Sequence, residues 1–318
     1  MGNKDVLTKK YMSKPERFAD LFNAYIFNGE PVIDPAGLRD VDSANLLTIS
    51  NNHSTSRKNL YTLQRYRDLI REAIVKQDDT FTYILLGIEN QSNVDYAMPV
   101  RNLFYNALSY NRQVEDIADM HKGANEKGSF LSGFRKDDKL YPVITLTLYW
   151  GDEKWNAPEK LSDMLVDHPR ELDKYIDDID INLFSIIDDT TYLKCRTQLR
   201  DIFQALHYRN DREALETTLK GPAYRNLQKE EAEILSEFSS VRLPEVTPEG
   251  GYDMCKAVEE MLEEREITGI KSGMQMIICS LIENGDINFE TGMKYLQVNK
   301  DQLNALLLDF RNSKANAL

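Results

Sequence analysis

The sequence predicts an α/β domain followed by a helical module, and three observations carry that prediction. The stretch 67–101, RDLIREAIVKQDDTFTYILLGIENQSNVDYAMPVR, holds two β-branched and aromatic runs, Leu69 to Val75 and Phe81 to Ile88, either side of the polar Gln77-Asp78-Asp79-Thr80. That pattern is a β-hairpin. Leu140 to Trp150, LYPVITLTLYW, has the β-branched and aromatic density of a buried strand. Apolar residues at three-and-four spacing before, between and after these strands mark helices.

In chain order, the first helix is expected to start near Pro15, with Ser13 as N-cap and Glu16 in its first turn, and to end near Asn28 before Gly29. Phe18, Leu21, Phe22, Tyr25 and Ile26 form its core stripe, while Asp20 lies away from the stripe's centre and is expected to be solvated. Gly29 to Lys58 is polar and turn-rich and reads as a loop or flap. If the hairpin pairs symmetrically about Asp78-Asp79, facing residues have numbers that sum to 157. Asp68 then faces Glu89. Because side chains alternate along a strand, Gln91 shares the face of Glu89 and Ile88 points the other way. Met98 to Asp119 reads as a helix, with Arg101 near its start, where its guanidinium either meets a phosphate or locks the carboxylates in place. His121 to Lys139 carries three glycines and five basic residues and is either a binding lid or a disordered loop.

Beyond Gly151 the pattern is mostly helical, over Pro158 to Val166, Tyr192 to Tyr208 and Asp211 to Leu219, with Ile181 to Ile187 as an added edge strand. Pro244, Pro248 and Gly250-Gly251 look like a linker. Tyr252 to Glu283 reads as one long helix interrupted at Gly269 or Gly273, followed by helices over Phe289 to Leu296 and Lys300 to Phe310. The expected division is a domain over 1–220, a connecting helix and linker over 221–251, and a helical oligomerisation or regulatory module over 252–318.

The 318 residues are ample for a core without disulfides, and 42% hydrophobic with 29% charged residues is the composition of a soluble globular chain. No apolar run reaches the roughly eighteen residues of a membrane span, and the N-terminus lacks the apolar region of a secretory signal. Val6 stands where a myristoylation motif wants Ser or Thr. Cys195, Cys255 and Cys279 are odd in number and scattered, which fits buried thiols in the cytoplasm, and four scattered histidines give no zinc spacing. The net charge of -13 belongs to the second half: residues 1–150 carry 19 basic and 19 acidic residues, and the remainder 20 and 33. Within the neutral half, Arg57, Lys58, Arg65, Arg67, Arg71 and Lys76 cluster around the hairpin, either as ordinary solvated charge or as contacts to phosphates.

Like charges facing each other destabilise a sheet, so the Asp68 and Glu89 pair needs a reason. Either the pair is the solvated face of an amphipathic hairpin or a hard divalent cation such as Mg²⁺ holds it, with water and phosphate oxygens completing the shell. Tyr83 to Ile88, apolar on both faces, argues for a buried strand and against the solvated face.

Asp68, then Glu89-Asn90-Gln91-Ser92 ending an apolar strand, then Asp95, Met98-Pro99 and Arg101 leading into Tyr105 and Tyr110, resembles the recombination-promoting nuclease and transposase family. That family is part of the PD-(D/E)XK nuclease superfamily, whose signature is an Asp on one strand and Glu-x-Lys on the next. Gln91 replaces the Lys, a variant the resembled family carries. The likeness runs from about Phe18 to Trp150 and more loosely to Leu219. It implies a restriction-endonuclease-like αβββαβ core, for which the sequence shows one strand too few before the second helix. It also implies a DNA endonuclease of low sequence specificity, linked to recombination or mobile elements. Asp68, Glu89 and the backbone carbonyl of Asn90 would hold Mg²⁺, or Mn²⁺ in its place; Gln91 would orient water, and Arg67 and Arg101 would meet the substrate. Asp20, on the opening helix, is a further candidate near the metal. The rival expectation is a catalytically inactive DNA- or protein-binding module on a nuclease fold. A homo-oligomer through the C-terminal helices is expected in either case.

Overall fold

The computed structural model describes residues 3–41, 69–77, 80–121 and 133–315. Arg57, Lys58, Arg65, Arg67 and Asp68, most of the flap, the turn at 78–79 and the stretch 122–132 with Lys122 and Lys127 lie outside the described residues. Two compact units are formed, Met1–Met254 and Cys255–Leu318.

The first unit opens with two helices, α1 (Asn3–Met12) and α2 (Pro15–Ile26). The sheet then takes β1 (Arg39–Asp40), β2 (Leu69–Gln77) and β3 (Thr80–Gln91). The crossover helix α3 (Met98–Met120) leads to β4 (Val143–Tyr149), and β5 (Asn182–Ser185) closes the edge. Strands lie in the order β1-β2-β3-β4-β5, antiparallel up to β3 and parallel after it. Helices α4 (Leu199–His207), α5 (Arg212–Leu219) and α6 (Lys229–Ser239) complete the unit.

The hairpin register is the symmetrical one: Leu69 pairs with Ile88 and Gln77 with Thr80, so every pair sums to 157. The strand that sequence reading lacked is β1, two residues against β2 and too short to leave a pattern. Pleating divides β3 between two layers. Leu86 and Ile88 point to the α2 side, as does Arg71, the cross-strand partner of Leu86, whose guanidinium lies over the Phe18 ring. Glu89 and Gln91 point to the α3 side, where Asn102 of α3 donates to Thr147 and Thr145 donates to Asn106. On the first side Trp150 is fully buried among the rings of Tyr11, Phe203 and Phe238, which join α1, α4 and α6 over the sheet.

Several expectations need correction. Arg71, counted among the phosphate-facing cations, is buried and donates to Asp40 Oδ1 and the Ser13 carbonyl. Asp20 is not solvated. Its buried carboxylate accepts from the backbone N–H groups of Arg196 and Thr197 and from the Thr197 hydroxyl. That anchoring also explains why the expected 192–208 helix is broken, with a 3₁₀ turn over Thr191–Lys194 before α4. The expected 158–166 helix is only a 3₁₀ turn, Ser162–Met164. Within 221–251, α6 packs back on the N-terminal helices: its Glu231 accepts from Arg17 of α2 in a buried pair, while Glu230 receives Lys14 at 2.8 Å and Arg17 at 3.1 Å.

These contacts set an acid dependence. Burial pushes the Glu230 carboxyl up, but hydrogen bonds from Lys14 and Arg17 outweigh it and hold its pKa below the ordinary value. A carboxylate depressed in the folded state stabilises the fold fully above its unfolded pKa and loses that contribution as pH falls through the folded value. Melting curves from about pH 6 to about pH 3 are therefore expected to fall below about pH 4.5, and Glu230→Gln to flatten that fall. An unchanged slope in the variant would remove Glu230 from the account.

The second unit is three helices, α7 (Met254–Glu283), α8 (Phe289–Leu296) and α9 (Lys300–Ala315). Helix α7 runs unbroken through Gly269 and Gly273. Cys279, Leu303 and Leu307 form the core, with Ile282, Phe289 and Phe310 packed around it. Asn299 and Gln302 cap α9 reciprocally, each side chain accepting from the other's N–H at 2.9 Å. Among the described residues no helix is long and apolar enough to cross a membrane.

Candidate active site at the end of the central strand

The carboxyl ends of parallel strands β3 and β4 lie side by side, Gln91 paired with Tyr149. Glu89 sits two residues before the end of β3 and is 1% exposed. A carboxylate this deep needs a counter-charge, and α3 supplies it. Pro99 sets the first turn of α3, which brings Arg101 back over the sheet, where Nη2 donates to Glu89 Oε2 at 3.0 Å and Nη1 to Asp95 Oδ2 at 2.5 Å. Burial works against the charged guanidinium, but the Asp95 hydrogen bond and the Glu89 charge outweigh it and raise the Arg101 pKa above its already high value. Asp95 is itself fixed, accepting from the Ala97 N–H at the entrance to the helix. Both Nη atoms of Arg101 thus donate to carboxylates, and the side chain holds Glu89 in place.

Gln91, half-buried on the same face as Glu89, lines an open pocket with Asp5, Ser92, Asp95 and Tyr96. Asp5 comes from α1, and Ser92 Oγ donates to its Oδ1 at 3.3 Å. The Asn90 side chain faces away, accepting from Trp150 Nε1 at 2.9 Å on the opposite side of the sheet. Its backbone turns toward β2, because Leu85 and Gln91 both bond to the β4 side and bonding alternates along a strand. Asp68 and Arg67 are not described; the ladder's last pair, Leu69 with Ile88, stops one residue short of position 68 facing Glu89. Asp20 belongs to the helix packing on the other side of the sheet and joins none of these groups.

Asp5 was missed at the sequence level because α1 was not recognised, and its only signal is an acid in the first turn of a weakly amphipathic helix. Asp95 was legible as part of the motif but not as the second anchor of Arg101. Among the described residues no group of three or more His, Cys, Asp or Glu side chains is placed to hold a metal ion. The donor chemistry nevertheless suits a hard cation: oxygen ligands only, a carboxylate fixed in orientation, and an open, polar approach.

The family model described as "Putative transposase, YhgA-like" matches residues 4–229. The chain belongs to this family. Comparison with curated proteins gives no match, and comparison with solved structures gives none either. The YhgA-like transposase segment takes in Asp5 at its start, the whole sheet, Glu89, Gln91, Asp95 and Arg101, and ends on the first residue of α6. Helices α7 to α9 lie beyond it.

Proposed function

We propose that the first unit is a metal-dependent DNA endonuclease of the PD-(D/E)XK type, acting with low sequence specificity in mobile-element or recombination chemistry. The observation that carries this reading is the buried Glu89 near the end of β3, held by Arg101, beside a hairpin ladder whose last described pair is Leu69 with Ile88. Membership of a transposase family supports DNA as the substrate. The element order α2, β1, β2, β3, α3, β4 supports a restriction-endonuclease-like αβββαβ core.

In this reading Asp68, Glu89 and the Asn90 carbonyl would hold Mg²⁺, with Asp5 and Gln91 at the mouth. The ion, when bound, polarises the scissile phosphate and acidifies a water. Arg101 keeps Glu89 in one orientation and carries the positive charge that lets it stay buried. Gln91, whose amide cannot take a proton at neutral pH, positions the water or a phosphate oxygen. With Arg71 and Arg101 occupied internally, backbone phosphates are left to the other cations around the hairpin and the 133–139 region, so binding weakens steeply with salt.

Supercoiled plasmid incubated with Mg²⁺, Mn²⁺ or EDTA tests the reading. Nicking is expected with either metal and not with EDTA, and Asp68→Ala is expected to lose it. Pure protein that never cuts, and whose melting point no divalent cation raises, would favour a binding module on the same fold.

A further inference from the structure

Helix α7 contains a long solvent-exposed stretch. Residues 263–272 are exposed on every side, although this is the interior of a 30-residue helix. A helical segment of that length is marginal in water without a packing partner, and Gly269 weakens it further, as does the adjoining Gly273. The apolar residues in and after it are not scattered. Ile267, Ile270, Met274 and Ile277 follow one another at spacings of three, four and three, and they are 66%, 64%, 47% and 62% exposed. That is the a/d pattern of a coiled-coil seam, continued by the half-buried Leu281. The seam is separate from the face that packs on α9, which uses Cys279 and Ile282. A Cβ added at Gly269 or Gly273 would meet nothing within 4 Å, so a second helix has room to approach closely.

We propose that this seam pairs, antiparallel, with the same seam of a second copy of the chain. Charge selects both the partner and the direction. One heptad earlier the seam positions are Glu260 and Glu263, both exposed, with Glu259, Glu264 and Glu266 around them. In a parallel pair these acids would stack on their own copies. In the antiparallel pair, Ile267 lies against the partner's Ile277 and Ile270 against the partner's Met274. Glu263 then faces the partner's Leu281 and Glu260 falls past the end of the opposing α7 at Glu283, so neither acid meets its own copy. The same patch serves both copies, as two-fold symmetry requires. Eight seam side chains at roughly 100 Å² apiece, with the flanking glycine and Lys271 surfaces, approach the roughly 1,000 Å² of a specific interface.

The test uses the full chain. Light scattering on the eluting protein is expected to give twice the chain mass of 36.7 kDa, and Ile270→Lys with Ile277→Lys to halve it. Cysteine pairs keep the result readable if the lysine variant is insoluble. In the antiparallel register the two copies of position 267 are roughly 15 Å apart at 1.5 Å per residue, beyond disulfide reach. Ile267→Cys alone should therefore not cross-link on oxidation, whereas Ile267→Cys with Ile277→Cys should. A monomeric wild type at tens of micromolar overturns the proposal, because the seam is then covered by something other than a second copy. A dimer that survives both lysines overturns it, as does efficient cross-linking by Ile267→Cys alone.

Discussion

Glu89→Gln is expected to lower metal-dependent plasmid nicking by about 10³-fold or more while leaving the sheet intact. The amide keeps the shape of the side chain and can still contact Arg101, but it removes the charge that an ion would bind. A bound metal contributes several kcal/mol to phosphate activation, and each 1.36 kcal/mol is about tenfold in rate. Arg101 would remain anchored by Asp95, so the cost in stability should stay near the roughly 1–3 kcal/mol of one charged hydrogen bond. Single-turnover nicking with Mg²⁺, alongside a thermal melt, separates the two effects. A variant that cuts within tenfold of wild type would remove Glu89 from the chemistry and leave it a structural partner of Arg101.

Arg17→Ala is expected to produce the largest loss of stability in the first unit, roughly 3–5 kcal/mol, since it strands the buried Glu231 without its cation. The guanidinium also donates to the Tyr11 carbonyl at 2.9 Å and lies 3.9 Å from the centre of the Tyr11 ring. At about 2–4 °C per kcal/mol for a domain of this size, the melting point should fall by on the order of 10 °C. Arg17→Met combined with Glu231→Met should recover much of that, because an apolar pair incurs no desolvation of charge. A single variant that melts within a degree or two of wild type would show that solvent reaches Glu231 and that the pair contributes little.

What could be read from the amino-acid order was whatever depends on neighbours in the chain. The β2–β3 register follows from alternation about a short polar turn, and the extents of α3, β4 and β5 follow from local apolar patterning. Glu89 and Arg101 were both recognisable. Arg101 could be given two roles, and only the approach of α3 to the end of β3 shows that it bonds Glu89 and Asp95. The misreadings share another cause, contacts made across long stretches of sequence. Strand β1 exists because β2 offers an edge, and α1 is held by Trp150 and Phe238 more than by any stripe of its own. Asp20 and Arg71 carry surface-type side chains whose burial is decided by Thr197, Asp40 and Ser13, none of them local. The hairpin's basic residues illustrate the limit: charge counts left Arg71 either solvated or facing phosphate, while its position opposite Leu86 turns it inward.

The tie between α2 and α6 has a consequence for how the chain is made. Arg17 meets Glu230 and Glu231 across separations of 213 and 214 residues. At a synthesis rate of about 5–20 residues per second, the first helices leave the ribosome roughly 10–40 s before the acids that neutralise Arg17 exist. Throughout that interval the layer of α1 and α2 lacks its closing element, whereas the β2–β3 hairpin needs only its own 23 residues, Leu69 to Gln91. The N-terminal layer is thus sealed late in translation, long after the hairpin, although it is made before it.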